Sequence, residues 1–188
     1  MGLVGAPLPE AEAVQREVYE ARRRIRGADH LETIGSESVL ARLVRENKRY
    51  DEAESLFQKT LENQRRVLGP RNYTTLATMY NMASTFYWDQ GQFEKADRLL
   101  RDTYEIARQD HDDTHCFLAA YNLACLAAQR GDRSAALAWP RNAIDCDFRD
   151  FEAMSQDPDL LSLHEEPEFE RLVAAARSNA GKPTPGSR

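Results

Sequence analysis

The amino-acid sequence predicts an all-α fold, an α-solenoid made of antiparallel helix pairs. Four similar short segments recur along the chain, and an alanine marks the equivalent position of each: Ala11, Ala53, Ala96 and Ala136. These alanines are 42, 43 and 40 residues apart, and a fixed period of this length is typical of stacked helical repeats. Apolar residues recur at the spacing i, i+3, i+4 and i+7 without two-residue alternation, which predicts helices rather than strands.

Each complete unit is predicted to contain two helices with a turn between them. In the second unit Phe86 precedes Gly91, and Ala96 follows it; Gly131 takes the place of Gly91 in the third unit. Glycine suits this turn because it adopts a positive φ without steric cost. The predicted boundaries are a half unit at residues 10–27 and complete units at about 31–68, 74–109 and 114–147.

Two departures from the repeat concern helix geometry. Between Met82 and Gly91 the second unit has one residue more than the other units. A helix usually accommodates such an insertion as a π-bulge, and a longer turn is the alternative. Pro140 lies inside the second helix of the third unit, where it removes a hydrogen bond, so we expect a kink or a break there.

The chain after residue 150 differs from the repeats. Asp157 and Pro167 are suited to starting short helices, and residues 151–177 are predicted to form a helical cap. The residues expected to cover the last repeat are apolar: Leu160, Leu161, Leu163, Phe169, Leu172 and Val173. Residues 178–188 are polar and rich in glycine and proline, which predicts a disordered tail. Residues 1–9 form an apolar N-terminal segment.

A motif at the repeat junction identifies the kind of repeat. Residues 64–70 read Gln-Arg-Arg-Val-Leu-Gly-Pro and are followed by Thr75-Leu76; a degraded copy at residues 23–34 is offset by 42 residues. This pattern resembles the junction R-x-L-G-x-x-H-P-x-T-L of kinesin-light-chain-like tetratricopeptide repeats, of which about three and a half cover residues 10–150. We expect Thr33 and Thr75 to be helix N-caps. The segment 145–172 resembles the tail of bacterial tetratricopeptide arrays found behind serine/threonine protein kinases.

The resemblance implies a protein-interaction module that binds a peptide or helical segment of a partner in a concave groove. Tyr80-Asn81 and Tyr121-Asn122 occupy equivalent positions, and in related arrays this asparagine hydrogen-bonds the backbone of an extended peptide. Further groove candidates lie on the same face: Arg42, Arg45, Ser84, Trp88 and Gln129. The arginines would hold a carboxylate of the peptide. In the alternative interpretation, both asparagines bond neighbouring helices and only set the repeat packing.

Composition and motifs argue against several other functions. The formal net charge is −6 and no basic field is present, so neither nucleic acid nor a membrane is expected as a partner. No phosphate-binding loop, activated nucleophile or convergent carboxylate pair is recognisable, so we expect no enzymatic activity and no cofactor. The three cysteines, Cys116, Cys125 and Cys146, lack metal-ligand spacing, which favours reduced thiols and a cytoplasmic location.

Two alternatives to an independent binding module remain open from the sequence. The chain could be a C-terminal scaffold or regulatory fragment of a larger bacterial signalling protein, such as a serine/threonine kinase. A metal-dependent enzyme using His111 and His115 is the other alternative. That pair lies at a repeat junction, where Asp112 and Thr114 are better explained as residues that start a helix. No metal site is therefore predicted.

The half unit at residues 10–27 corresponds to the second helix of a repeat, and the first helix of that repeat is absent before it. Its apolar residues Val14, Val18 and Ile25 are expected to be exposed unless Leu3 to Leu8 fold back over them. The sequence therefore suggests self-association, or docking on a larger assembly, through this half repeat.

Overall fold

The computed structural model describes residues 8–181, and the chain divides into two compact units, Met1–Thr78 and Met79–Arg188. In the described residues no strand occurs, so the all-α prediction is confirmed. The α-helices are α1 Leu8–Arg26, α2 Leu31–Glu46, α3 Tyr50–Val67, α4 Tyr73–Asn81, α5 Phe93–Gln109, α6 Asp113–Gln129, α7 Arg133–Asp145, α8 Phe151–Gln156 and α9 Pro167–Ala180. A π-helix spans Met82–Tyr87 and a 3₁₀ helix spans Pro158–Leu163.

The first unit is built on three consecutive helices, with α1 packed on α2 and α2 packed on α3. The buried stripe of α2 includes Leu40, Ala41 and Val44, none of which has measurable exposure. Ala53 of α3 is also completely buried, in agreement with a small side chain at the closest helix–helix approach. On α1, Val14 and Ile25 are exposed and Val18 is half-buried, so the described residues cover the predicted apolar face of the half repeat only in part.

Two buried carboxylates of the first unit are paired with polar groups. Glu37 accepts hydrogen bonds from Tyr19 (2.8 Å) and Asn63 (3.1 Å), and the ammonium of Lys59 lies 2.7 Å from the same carboxylate. A buried charge is tolerated only when it is paired and hydrogen-bonded. These contacts join α1, α2 and α3 around one acidic side chain.

Glu12 of α1 forms the second network. Its carboxylate accepts hydrogen bonds from Arg16 (2.9 Å), Asn47 (2.8 Å) and Arg49 (2.8 Å). Burial alone would raise the pKa of Glu12, but these hydrogen bonds and the charge of Arg49 outweigh it, so the pKa lies below its ordinary value of 4.5. The ionised carboxylate therefore stabilises the first unit.

We expect the Glu12→Gln variant to be less sensitive to acid than the wild-type protein. Because the pKa is lower in the folded state, Glu12 contributes stability above about pH 4.5, and the contribution is lost as the pH falls through the folded pKa. Melting temperatures measured between about pH 6 and pH 3 should fall less steeply for Glu12→Gln. Glu17→Gln, at an exposed position of the same helix, is the control and should leave the slope unchanged.

The second unit begins near the end of α4 and continues through the π-helix, α5, α6 and α7. The π-helix Met82–Tyr87 accommodates the additional residue of this repeat, which is the first of the two alternatives that the sequence leaves open. Gly91 and Gly131 lie at the expected turns with φ of 66° and 71°, in the left-handed region that favours glycine. The π-helix packs on α5, α5 on α6, and α6 on α7.

Of the two outcomes expected at Pro140, a break does not occur, while a kink stays a prediction. Helix α7 is continuous from Arg133 to Asp145, and Pro140 is buried within it. The packing of α7 against α6 buries apolar surface on both sides of the proline, and this offsets the loss of one backbone hydrogen bond. Nearby, the rings of Tyr104 and Trp139 meet edge to face with centroids 5.2 Å apart.

The prediction that all three cysteines are reduced is wrong for two of them. Cys116, near the start of α6, and Cys146, after the end of α7, form a disulfide, and their Cα atoms are 5.8 Å apart. The antiparallel pairing of the two helices brings these ends together although 30 residues separate them in sequence. Cys125 is unbridged and buried. Reduced cysteines therefore no longer support a cytoplasmic location.

The predicted N-caps are also corrected by the structure. The ring of His30 caps α2 by accepting a hydrogen bond from the Glu32 N–H, while Thr33 is buried inside the helix. Thr75 likewise lies inside α4, where its hydroxyl donates to the Gly69 carbonyl at 2.9 Å. Threonine is therefore used here for internal packing rather than for starting the helix.

Helix α8, the 3₁₀ helix and most of α9 lie within the segment predicted to form the cap, and α9 packs on α7. Four of the expected cap residues are buried: Leu160, Leu163, Phe169 and Leu172. Leu161 is exposed. Helix α9 extends to Ala180, three residues into the segment predicted to be disordered. Residues 1–7 and 182–188, which contain most of the predicted N-terminal segment and tail, lie outside the described residues.

None of the helices between residues 8 and 181 has both the length and the apolar character required to cross a lipid bilayer.

Candidate functional site

A cleft of about 880 Å³ lies within the second unit. One wall is formed by the end of α4, the π-helix and Trp88, and the floor is formed by α6. The opposite wall is the segment that follows α7, from Asp147 to the first residues of the 3₁₀ helix. The C-terminal cap therefore does more than cover the last repeat, because it encloses one side of this cleft.

Aromatic side chains form much of the cleft surface. They come from all three parts of the lining, the two walls and the floor: Tyr80, Trp88, Phe117, Tyr121 and Phe148. The rings of Tyr121 and Phe148 are stacked with centroids 5.0 Å apart, and the Phe117 ring lies 5.8 Å from that of Phe148. Because these rings support one another, the cleft has a preformed apolar surface, as ligand sites commonly do.

The charged groups of the cleft are almost all acidic. Five aspartates line it: Asp113, Asp147, Asp150, Asp157 and Asp159. The lining includes one basic residue, Arg149, whose guanidinium lies 2.8 Å from the Asp147 carboxylate. The cleft therefore has a negative potential with apolar surfaces beside it.

Neutral hydrogen-bond donors orient two of these carboxylates. The hydroxyl of Tyr121 donates to Asp157 at 2.6 Å, and the thiol of Cys125 lies 3.8 Å from the same oxygen. Gln129 donates to Asp159 at 2.8 Å. Burial raises the pKa of both Tyr121 and Cys125, and Asp157 raises each further. Both groups therefore keep their protons at neutral pH and act as donors to the carboxylate.

The same residues form a group with potential metal-ligating atoms. One atom each from Cys125, Asp157 and Asp159 lie within 4.8 Å of one another, and within residues 8–181 no other such group of three occurs. Zinc accepts sulfur and oxygen ligands of this kind but requires the thiolate form of cysteine. The raised pKa of Cys125 opposes that form. His115 is buried elsewhere, with its Nδ1 atom 2.6 Å from Asp112.

Five of the residues predicted for a peptide groove line the cleft: Tyr80, Ser84, Trp88, Tyr121 and Asn122. Gln129 lies beside it through its hydrogen bond to Asp159. Asn81 is exposed and is not part of the lining. Arg42 and Arg45 belong to the first unit.

Asn122 contacts other residues of the second unit. Its amide nitrogen donates to the hydroxyl of Tyr80 at 3.1 Å and to the carbonyl of Leu118 at 2.9 Å. This is the packing role foreseen in the alternative interpretation of the asparagines. Only the carbonyl oxygen of the side chain is left to accept a hydrogen bond from a ligand.

Sequence reasoning missed the wall formed after α7. Asp147 and Phe148 follow the last repeat helix, and the local pattern around Asp157 and Asp159 indicates only the start of a short helix. The available signal is the net charge of residues 141–188, where ten acidic residues stand against six basic ones. That excess indicates an acidic surface. The segment from residue 147 to residue 159 does not continue the repeat period, so its sequence does not show that it packs near α6.

Comparisons with known proteins agree with the helical repeat architecture. The sequence model of the tetratricopeptide repeat matches residues 34–109. The fold is similar to a crystal structure from Podosopora anserina of nearly identical TPR-like repeats assigned to a kinesin light chain. That similarity has a TM-score of 0.70 at 17% identity, covering 92% of this chain and 86% of the other. A crystal structure of a variant of the same repeats gives a TM-score of 0.68 with the same identity and coverage. No curated protein sequence matches the chain.

Proposed function

We propose that this chain, which matches the tetratricopeptide-repeat model over residues 34–109 and shares its fold with kinesin-light-chain-like repeats, binds a peptide segment of a partner protein. The binding site is the aromatic cleft of the second unit. The observation that carries the proposal is the convergence of five aromatic rings, from both walls and the floor, on one open volume of about 880 Å³. A repeat scaffold commonly uses such a concave surface for binding.

The dimensions and chemistry of the cleft suit a short peptide. Its volume lies within the roughly 300–1,000 Å³ that is usual for ligand sites. Aromatic faces bury the apolar part of a ligand, while the Ser84 hydroxyl and the Asn122 carbonyl oxygen supply polar contacts that orient its backbone. Only the carbonyl oxygen of the Asn122 side chain is available to a ligand. We therefore propose that one asparagine, rather than a row of them, contacts the peptide backbone.

Nucleophilic catalysis is poorly supported by the same residues. Cys125 is the cleft residue with an intrinsically reactive side chain, but burial and Asp157 raise its pKa. The nucleophile in cysteine chemistry is the thiolate, which these surroundings disfavour. Binding is therefore the better interpretation of the cleft.

We expect the Trp88→Ala variant to lose affinity for peptides that bind the cleft. A random dodecapeptide display library would be selected on the wild-type protein, and the enriched peptides would be synthesised and titrated by calorimetry. Removing a central aromatic contact commonly costs about 2 kcal/mol or more, so the dissociation constant should rise at least roughly tenfold. Circular dichroism would verify that the variant keeps its helicity.

The second of the two tryptophans provides a matched control. Trp139 packs on Tyr104 and Arg101 and is absent from the cleft lining. Trp139→Ala should leave the affinity for the selected peptides unchanged. Peptides that bind both variants as tightly as the wild type would show that the cleft is not the binding site.

A further inference from the structure

Resting on the proposed peptide-binding function, we infer that the cleft recognises a cationic segment, whose lysine or arginine side chains pair with Asp157 and Asp159. The tetratricopeptide fold does not determine the chemistry of the partner. Two properties of this cleft do favour a cation, its uncompensated negative charge and its aromatic walls.

The charge balance of the cleft favours a positively charged ligand. Arg149 is the basic residue of the lining, and it already pairs with Asp147. Among the ion pairs formed by residues 8–181, none includes Asp150, Asp157 or Asp159. The negative potential of these carboxylates would attract a cationic segment and repel an acidic one.

Hydrogen bonds position the carboxylates of Asp157 and Asp159 close together, where one cation can contact both. Their carboxylate oxygens lie within 4.8 Å of each other, a distance at which two like charges raise the free energy of the empty site. Tyr121, Cys125 and Gln129 orient the pair through hydrogen bonds but add no positive charge. A guanidinium or ammonium group would relieve the repulsion and form charge-assisted hydrogen bonds.

The aromatic walls distinguish a peptide cation from a bare metal ion. Lysine and arginine carry long apolar stems that pack on aromatic surfaces, and their charged ends interact favourably with ring faces. Tyr80, Trp88 and Phe117 supply such surfaces in the same cleft. A metal ion would use none of these surfaces, and a zinc ion bound by the Cys125 sulfur would in addition require the thiolate.

The ligand inferred from the cleft is positively charged, whereas the sequence suggests a negatively charged group on the peptide. The sequence suggests that Arg42 and Arg45 hold an acidic group, but both residues belong to the first unit. The cleft of the second unit is acidic instead. A peptide seated there is therefore selected by aspartates.

The test uses peptides from the unbiased dodecapeptide selection described above. Those that lose affinity on Trp88→Ala should be enriched in lysine and arginine. The double variant Asp157→Asn/Asp159→Asn should bind them about tenfold or more weakly, as expected when charge-assisted hydrogen bonds become neutral ones. Asparagine keeps the size and a hydrogen-bond acceptor of aspartate, and it is also accepted at the start of a helix. The control Asp102→Asn/Glu105→Gln removes the same net charge from exposed positions of α5.

A second measurement leaves the protein unaltered. Changing each lysine or arginine of the selected peptide to glutamine should cause the same loss of affinity, and added salt should weaken the wild-type complex. Cleft-dependent peptides that are neutral or acidic, or that bind the double variant normally, would overturn the inference while leaving the proposed function intact. Binding abolished by EDTA would also overturn it, because a metal ion would then occupy the aspartates. A failure to select any cleft-dependent peptide would overturn both.

Discussion

Replacement of Phe86 by alanine is expected to lower the free energy of unfolding of the protein by about 3–5 kcal/mol, a typical cost for truncating a buried aromatic side chain. Phe86 is 1% exposed and lies in the π-helix Met82–Tyr87, which packs on α5. Its ring also meets that of Tyr87 edge to face at 5.2 Å. Truncation removes this packing and leaves a cavity that a tightly packed helical interior closes only in part.

The neighbouring residue provides the control for Phe86. Thr85 belongs to the same π-helix, is exposed, and donates its hydroxyl to the carbonyl of Asn81 at 2.6 Å. Thr85→Ala should change stability by no more than about 0.5 kcal/mol. Urea unfolding followed by circular dichroism would measure both variants. Equal stability losses for Phe86→Ala and Thr85→Ala would show that Phe86 is not part of the core.

Removal of the disulfide by Cys116→Ala/Cys146→Ala is expected to destabilise the protein by about 3–4 kcal/mol. The bond joins positions 30 residues apart, and its absence gives the unfolded chain more conformational freedom. The bond also secures the cleft, because Cys116 directly precedes Phe117 and Cys146 directly precedes Asp147 and Phe148. We therefore expect weaker peptide binding as well as a lower melting temperature.

Treatment with dithiothreitol distinguishes the effect of losing the disulfide from other effects of the two alanine substitutions. Reductant should lower the melting temperature of the wild-type protein and leave that of the double alanine variant unchanged. Alkylation under denaturing conditions without reductant, followed by mass spectrometry, should label one thiol, that of Cys125. Labelling of all three cysteines in the non-reduced protein would contradict the bond.

Phe86 and the disulfide do not line the cleft, but both are close in sequence to residues that do. The π-helix lies next to Trp88 and carries Ser84, and the disulfide lies next to the wall that includes Phe148. Binding and stability should therefore be coupled in these variants. They should be separable in Asp157→Asn/Asp159→Asn, which alters charge with little change in shape.

Local sequence patterns predict much of the fold. Helical periodicity predicts the all-α class, and the glycines predict the turns at Gly91 and Gly131. A single extra residue indicates either a π-helix or a longer turn, and the structure has the π-helix. These features depend on spacing along one or two helices, which a single sequence displays directly. The helix does not break at Pro140, because packing against α6 stabilises it, and that packing energy depends on tertiary structure.

The sequence predicts the part of the cleft that belongs to the repeats, but not the wall formed by the segment after α7. Tyr80, Trp88 and Tyr121 can be identified because they belong to the repeat, where equivalent positions can be aligned. Asp157 and Phe148 belong to a segment without periodicity, and nothing in their spacing shows which helix they approach. The internal hydrogen bonds of Asn122 are equally hidden, since one of them depends on a hydroxyl 42 residues away.

The sequence by itself determined the repeat period, the helices and the turns of this protein, because each depends on residues close together along the chain. Only the tertiary structure decided that Cys116 pairs with Cys146 and that Asp157 approaches Cys125. It also decided that the cleft beside them is acidic rather than basic. Those two contacts join positions 30 and 32 residues apart, and they form when antiparallel helices and the cap bring distant positions together.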